Sequence, residues 1–326
     1  MDSAIFNWNF ERIKTNGVEL NTLVEGEGPL VILLHGFPQC SFLWRHQIQP
    51  IIDSGYRVAV PDQRGYGTSD SPVDVSEYTV RKLAGDVAGI ARALGYSEFI
   101  VIGQDWGAPV AWHTALLHED ICKAVMGMSV PYTRMDDWNG WIENASTENG
   151  FWYMRYFQQA GIPERELEKN LKEGLHRFYS TLCAESSGAW IDQVNHPKEA
   201  SILDILAPAN RKLSWLSEGE LNYYVNFFKE EGLRGPINWY RAIPLNGADT
   251  MELSNKKIAQ PAAFISGVKD DVLKYGGFNN EWVDAMDAWF VDLRFTTMIE
   301  DAGHWLQCEK PIEVNNEILN FLKMVS

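Results

Sequence analysis

Four side chains of this sequence could do covalent chemistry together if the fold gathered them. Asp105 lies in Gly103-Gln104-Asp105-Trp106-Gly107, His304 in Asp301-Ala302-Gly303-His304-Trp305, and Asp270 and Asp271 in Gly267-Val268-Lys269-Asp270-Asp271. A Gly-x-Asp-x-Gly run between an apolar strand-like stretch (Val101-Ile102) and a helix-like one (Ala108 to His118) has the form of a nucleophile elbow. It carries Asp where ester-cleaving enzymes carry Ser. Glycines at 103 and 107 let the turn close and the helix approach the sheet. The helix N-terminus then stabilises the carboxylate. By itself the motif is also that of a helix-capping Asp; its place between strand and helix favours the chemical role. A histidine in a glycine-containing loop past a late strand can serve as general base, and an acid past the preceding strand can orient it and stabilise its charged form. Either Asp270 or Asp271 meets that description. The other five histidines outside the Leu34–Gln39 loop (His46, His113, His118, His176, His196) have no such setting.

A carboxylate nucleophile restricts the electrophile. Attack on an acyl carbon would give a labile anhydride, whereas attack on a saturated carbon bearing a leaving group gives a stable alkyl ester. Epoxides and alkyl halides meet that requirement. Leu34-His35-Gly36-Phe37-Pro38-Gln39 follows the first long apolar run, and its backbone can aim an N–H at the site. With the N–H of Trp106 it would form an oxyanion hole. His35 precedes this turn and reads as a packing or hydrogen-bonding histidine, not as the base. The nearest lookalike of a serine nucleophile is Gly127-Met128-Ser129-Val130-Pro131, whose proline cannot supply the N–H of a following turn and helix.

These groups need a scaffold. Leu30–Leu34, Arg57–Val60, Phe99–Ile102, Ala262–Ile265 and Leu293–Ile299 are strand-like apolar runs, as strands buried on both faces should be. Val80, Leu83, Val87, Ile90 and Leu94 form a helical stripe that Gly95 stops. Strand-helix alternation implies a mostly parallel sheet covered by helices on both faces, with its site beyond the strand carboxyl ends. Residues 133–247 break the pattern. They are helical in character and rich in Trp and Tyr (Trp138, Trp141, Trp152, Tyr153, Tyr156, Trp190, Trp239 and Tyr240 among them), as a helical lid or cap over the site would be. The core is then 1–132 with 248–326.

Composition limits the alternatives. With 326 residues, 45% hydrophobic and 12% aromatic, the chain can bury a full-sized core. Lys and Arg total 28 against 44 Asp and Glu, a net charge of -16, which disfavours nucleic acid and anionic membrane surfaces. No apolar run approaches the roughly 20 residues of a membrane span. The start, Met1 to Trp8, lacks the features of a signal peptide. Cys40, Cys122, Cys183 and Cys308 are scattered without a Cys-x-x-Cys, so they read as reduced thiols of a cytoplasmic protein, not as a metal site. On that reading Asn144-Ala145-Ser146 is a chance glycosylation match.

Taken in order, His35-Gly36-Phe37-Pro38, Asp62-Gln63-Arg64-Gly65-Tyr66-Gly67, Gly103 to Gly107, Tyr156-Phe157-Gln158, Asn238-Trp239-Tyr240-Arg241 and Asp301 to Trp305 resemble the α/β-hydrolase superfamily, and within it the soluble epoxide hydrolases. The resemblance spans nearly the whole chain and implies the α/β-hydrolase fold with a helical cap. It implies that Asp105 is the nucleophile, His304 the base and Asp270 the orienting acid, the last because the family's Lys-Asp-x-Val pattern fits Lys269 to Val272. It further implies that Tyr153 and Tyr240 protonate the epoxide oxygen, with Tyr156 as the alternative to Tyr153. Phe37 and Trp106 would form the oxyanion hole. His35, Pro38, Trp106, Tyr156, Trp239 and Trp305 would line the substrate pocket, and Phe37-Pro38 would be cis. Gln104 departs from the family's usual His and Gln39 from its usual Glu; neither has a direct role in that mechanism.

The implied enzyme is a hydrolase of ether bonds that turns a small-molecule epoxide and water into a vicinal diol, without cofactor or metal, as a monomer or homodimer. The competing readings are a haloalkane or haloacid dehalogenase with the same Asp nucleophile, and a binding module on the same scaffold.

Overall fold

In the computed structural model, residues 8–133, 142, 150–186, 188, 190–209, 212–275, 283 and 285–326 are described. The Asn144-Ala145-Ser146 match, Trp138, Trp141 and Met1 to Asn7 lie outside them. An eight-stranded sheet organises the chain in the order β1-β2-β4-β3-β5-β6-β7-β8. β1 (Phe10–Thr15) and β2 (Val18–Glu25) form a hairpin, and β2 runs antiparallel to β4 (Arg57–Pro61). The remaining neighbours, β3 (Leu30–Leu34), β5 (Phe99–Gln104), β6 (Cys122–Met128), β7 (Ile258–Gly267) and β8 (Phe290–Ile299), pair in parallel. Every residue of β3 and β5 is buried. Their unbroken apolar composition follows from being covered on both sides.

The cover comes from two groups of helices. α1 (Ile48–Asp53) touches β4 and the C-terminal helix, while α2 (Val80–Ala93) packs on β1 and on α3 (Gly107–Leu117), which lies along β5 and β6. The apolar stripe of α2 is the one predicted, and Gly95 ends it at φ 82°. The predicted strands were read slightly short: β7 begins four residues before Ala262 and β8 three before Leu293. β1, β2 and β6 are elements that the apolar runs did not indicate.

Between β6 and β7 the described elements are helical. They are α4 (Tyr153–Tyr156), α5 (Ile162–Lys169), α6 (Leu171–Leu182), α7 (Ile202–Ile205), α8 (Glu218–Glu231), α9 (Arg234–Arg241) and α10 (Ile243–Asp249), with short 3-10 turns. α8 opens on a capping box of Ser217 and Glu220, and Gly232 closes it at φ 72°. Hydrogen bonds sew this insert to the sheet domain. The Trp239 indole donates to Arg64 O at 2.9 Å, the Tyr179 hydroxyl to Pro38 O at 2.8 Å, and the Val80 N–H to Asn246 Oδ1 at 2.9 Å. Buried Arg45 reaches Glu220 of α8 at 2.7 Å. After β7 come α11 (Asp271–Tyr275), and after β8 come α12 (Leu306–Glu309) and α13 (Pro311–Val325), the last buried along Val314, Ile318, Phe321 and Leu322. Among the described residues no helix is long and apolar enough to cross a membrane.

Candidate active site

The end of β5 turns sharply into α3, and the turn explains its glycines. Asp105 adopts φ 50°, a left-handed conformation that is strained for a residue with a Cβ and recurs at functional sites. α3 then starts at Gly107, where a Cβ would stand 2.2 Å from Leu34 O. A Cβ on Gly36 would stand 2.3 Å from Asp105 Oδ1, so the loop after β3 presses its backbone directly on the carboxylate. That contact brings a donor: the Phe37 N–H donates to Asp105 Oδ1 at 2.7 Å. Trp106 is the N-cap of α3, so its backbone N–H belongs to the same positive helix end. The Phe37-Pro38 peptide is cis.

The other carboxylate oxygen, Oδ2, lies 3.4 Å from His304 Nε2. His304 follows β8, and its Nδ1 is 3.1 Å from both oxygens of Asp270, which follows β7. Asp270 is dry, and its Oδ1 also accepts from the N–H of Val272 at 2.9 Å and of Leu273 at 3.4 Å. Asp271 faces elsewhere and accepts from the Gly188 N–H at 2.5 Å. Of the two aspartates left open by the sequence, Asp270 is the one beside His304.

Electrostatics follow from this packing. Burial alone would lower the His304 pKa, but the Asp270 and Asp105 carboxylates on either side of the ring outweigh it and hold the imidazole well above its ordinary value. A pKa raised in this way favours an imidazolium between the two carboxylates. His35 behaves oppositely: burial pushes it down to about 4. Its Nε2 accepts from the Gln63 N–H at 3.0 Å and its Nδ1 lies 3.1 Å from Gly36 O, so it braces the loop as a neutral ring.

The insert supplies aromatic side chains over Asp105. Tyr240 of α9 packs edge-on against Trp106, ring centroids 5.2 Å apart, and against Phe37 at 5.4 Å. Tyr153, at the start of α4, meets the Tyr240 ring at 6.0 Å. Burial, and then the Asp105 charge, raise the Tyr240 pKa, which keeps its hydroxyl protonated; a hydrogen bond with Trp106 acts in the other direction. The Tyr156 hydroxyl donates instead to Glu166 at 2.5 Å. Trp239 packs on Trp106 at 5.8 Å. Two residues assigned to the substrate pocket, His35 and Trp305, are fully buried, with the Trp305 indole donating to Tyr179 O at 3.1 Å and its ring 4.7 Å from His304. Pro38 O carries the Tyr179 hydroxyl.

Two further residues act on His304 that sequence reasoning passed over. Gln104 Nε2 donates to His304 O at 3.0 Å and lies 3.4 Å from its Nε2. Ser129, the discarded serine, has φ 68° at the end of β6 and donates to the same carbonyl at 3.4 Å. Adjacency of Gln104 to the elbow was the available signal for the first.

Comparison with known proteins bears on what this geometry serves. The family model for the alpha/beta hydrolase fold matches residues 29–311. The chain is 34% identical over 313 residues to epoxide hydrolase A of Mycobacterium tuberculosis, covering 95% of this chain and 96% of that protein. It is also 34% identical over 308 residues to the bifunctional epoxide hydrolase 2 of Rattus norvegicus, where it spans 54% of the longer protein. A solved epoxide hydrolase from an endophytic Streptomyces superposes with a TM-score of 0.91 at 31% identity, covering 98% of this chain and 96% of that one.

Proposed function

We propose that this chain, which belongs to the α/β-hydrolase fold family and within it to the epoxide hydrolases, opens epoxides with the carboxylate of Asp105. The enzyme converts an epoxide and water into a vicinal diol. Asp105 Oδ2 attacks a ring carbon, the carbon–oxygen bond breaks, and the departing alkoxide takes a proton from Tyr240 or Tyr153. An alkyl ester on Asp105 remains. His304, oriented by Asp270, removes a proton from water, whose oxygen adds to Cγ of Asp105. The resulting oxyanion rests on the N–H groups of Phe37 and Trp106, each such donor being worth about 3 kcal/mol. Collapse expels the diol, which takes the proton from His304; the second proton of the water, left on the acid so formed, returns to the tyrosine phenolate and restores both the phenol and the Asp105 carboxylate.

One observation carries this reading. The two oxygens of Asp105 are already differentiated, one held by the Phe37 N–H at 2.7 Å and the other facing the base at 3.4 Å. Phenols favour the epoxide over a halide: ring opening yields an alkoxide that needs a proton, whereas a halide leaves with weak N–H donors alone. We assign residues 133–247 to the cap and 1–132 with 248–326 to the catalytic core. The acidic chain then acts on a small epoxide and water, away from nucleic acid and membrane, as a monomer or homodimer. All four thiols are free and buried, which fits a reducing cytoplasm. The test is His304→Gln incubated with styrene oxide: its intact mass should rise by one substrate, and a single turnover of wild type in heavy-oxygen water should label the Asp105 peptide. An unmodified variant together with label only in the diol would refute the mechanism.

A further inference from the structure

The turn that carries His304 is attached to the insert as well as to the sheet domain, where Gln104 and Ser129 donate to the His304 carbonyl. The His304 N–H donates to Leu182 O at 2.9 Å, the last residue of α6, and the Trp305 indole donates to Tyr179 O in the same helix. Gly303 passes so close that a Cβ on it would stand 2.3 Å from the Ala184 nitrogen. A single carboxylate closes this junction. Glu309, at the end of α12, folds back so that Oε2 accepts from the N–H groups of Ala184 at 2.8 Å and Gly303 at 3.2 Å, and Oε1 from that of Trp305 at 3.0 Å. Two of those donors flank His304 and the third is the second residue after α6. Burial raises the Glu309 pKa to about 7; above that pH it is an ionised acceptor, whose hydrogen bonds are the short, strong kind, and three convergent ones fix a turn in place.

We propose that Glu309 is a positioning residue that locks the general base to the cap, so that the place of His304 is set by the C-terminal end of α6. The proposal rests on the assignment of Asp105 as nucleophile and His304 as base. It separates the two half-reactions. Alkylation of Asp105 needs the carboxylate and the cap phenols, none of which Glu309 touches. Hydrolysis of the ester needs His304 within hydrogen-bond reach of a water that is also in line with Cγ of Asp105, and a displacement of about 1 Å there is worth on the order of 100-fold in rate.

Two variants test this. Glu309→Gln keeps the size but turns an NH2 group on donors that had an acceptor. Ala184→Pro replaces the cap-side N–H with a ring Cδ aimed at Glu309 Oε2, so it breaks the junction from the cap side while residue 309 keeps its carboxylate; Cys183 before it already has φ -81° and ψ 160°, the conformation a following proline requires. Ala184→Gly retains that N–H and serves as control. Rapid-quench intact mass and stopped-flow tryptophan fluorescence with styrene oxide resolve formation and breakdown of the ester. In both test variants breakdown should slow by ~10- to 100-fold while alkylation stays within ~3-fold of wild type, so the adduct accumulates. Ala184→Gly should behave as wild type. Equal slowing of both half-reactions, unchanged breakdown in Ala184→Pro, or slowed breakdown in Ala184→Gly would overturn the role of Glu309. A wild type that never forms an adduct would instead overturn the nucleophile assignment beneath it.

Discussion

Replacing Asp270 with Asn removes one charge and almost no volume, so its consequences can be worked from the contacts. In the folded protein the His304 pKa stands at about 10 against 6.5 for a free imidazole, a preference for the imidazolium of roughly 5 kcal/mol. Burial works against that preference, and the Asp270 charge is the largest contribution in its favour. The N–H groups of Val272 and Leu273 both point at Oδ1 and will select the amide oxygen there. The new NH2 group then takes the Oδ2 place, 3.1 Å from Nδ1. A donor in that position competes for the Nδ1 lone pair and drives the ring proton to Nε2, the nitrogen that must accept from water. Where an amide replaces the orienting carboxylate of a Ser-His-Asp site, the loss is about 10,000-fold in turnover, and a loss of that order is expected here in ester hydrolysis. Alkylation requires no base and should survive. Mixing Asp270→Asn with a chiral styrene oxide should therefore give one fast tryptophan-fluorescence phase, an adduct by intact mass, and almost no diol. Diol formation within tenfold of wild type, with no adduct, would refute the argument.

The same variant carries a pH signature. A histidine whose folded pKa is raised contributes stability that is complete below its unfolded value of about 6.5 and lost as pH climbs through its folded one. The wild-type melting temperature should fall between about pH 7 and pH 10. Asp270→Asn should flatten that slope. Parallel slopes would mean that the imidazolium is not held by Asp270.

Tyr240→Phe should slow alkylation by about 10- to 100-fold, and the double change with Tyr153→Phe by about 10,000-fold, since positioned proton donors contribute about 100- to 10,000-fold. Tyr156→Phe should leave the burst rate within twofold, because that hydroxyl is spent on Glu166; stopped-flow traces of the variants decide. Gly36→Ala puts a methyl 2.3 Å from Asp105 Oδ1 and should cut alkylation by about 100-fold in a protein whose circular dichroism is unchanged. Asp86→Asn strips the bidentate partner, at 2.6 and 2.8 Å, from the wholly buried Arg64 and should destabilise the fold by about 3–5 kcal/mol in urea titration.

What could be read from the sequence divides along physical lines. The strands at the centre of the sheet announce themselves because burial on both faces leaves no room for polar side chains, as in Leu30 to Leu34 and Phe99 to Ile102. β1 mixes exposed and buried positions and β2 alternates apolar with polar residues, so neither forms an apolar run, although Asn16-Gly17, both at positive φ, is a hairpin signal. β6 is built on small residues and Met and was read only for its serine. The site was legible where chemistry leaves a local pattern, as at the Gly-x-Asp-x-Gly elbow. It was less legible where the partner is distant in sequence: Asp270 rather than Asp271 was picked out only by the resemblance to the family's Lys-Asp-x-Val pattern, and no spacing reveals that Tyr156 turns to Glu166 or that Glu309 gathers N–H groups from Ala184, Gly303 and Trp305. Nor does any spacing show that the His35 ring accepts from the Gln63 N–H or that the Trp305 indole donates to Tyr179 O.

The charge on Asp105 has a second use that follows from its distance to His304. In the resting site the imidazole is flanked by two carboxylates and is held protonated, which would disqualify it as a base. Esterification neutralises one of the two. The proton on His304 then loses part of its support while burial continues to disfavour it, so the pKa must fall at the moment the ester forms. A serine nucleophile needs its histidine as a base from the first step; in the mechanism proposed above an aspartate does not, and its own consumption would switch the base on. Hydrolysis regenerates the carboxylate, and the pKa of His304 rises again. The alternation requires a short, dry Asp105–His304 contact, the condition met by a nucleophile pressed against the Gly36 backbone and a base that shares its turn with the cap.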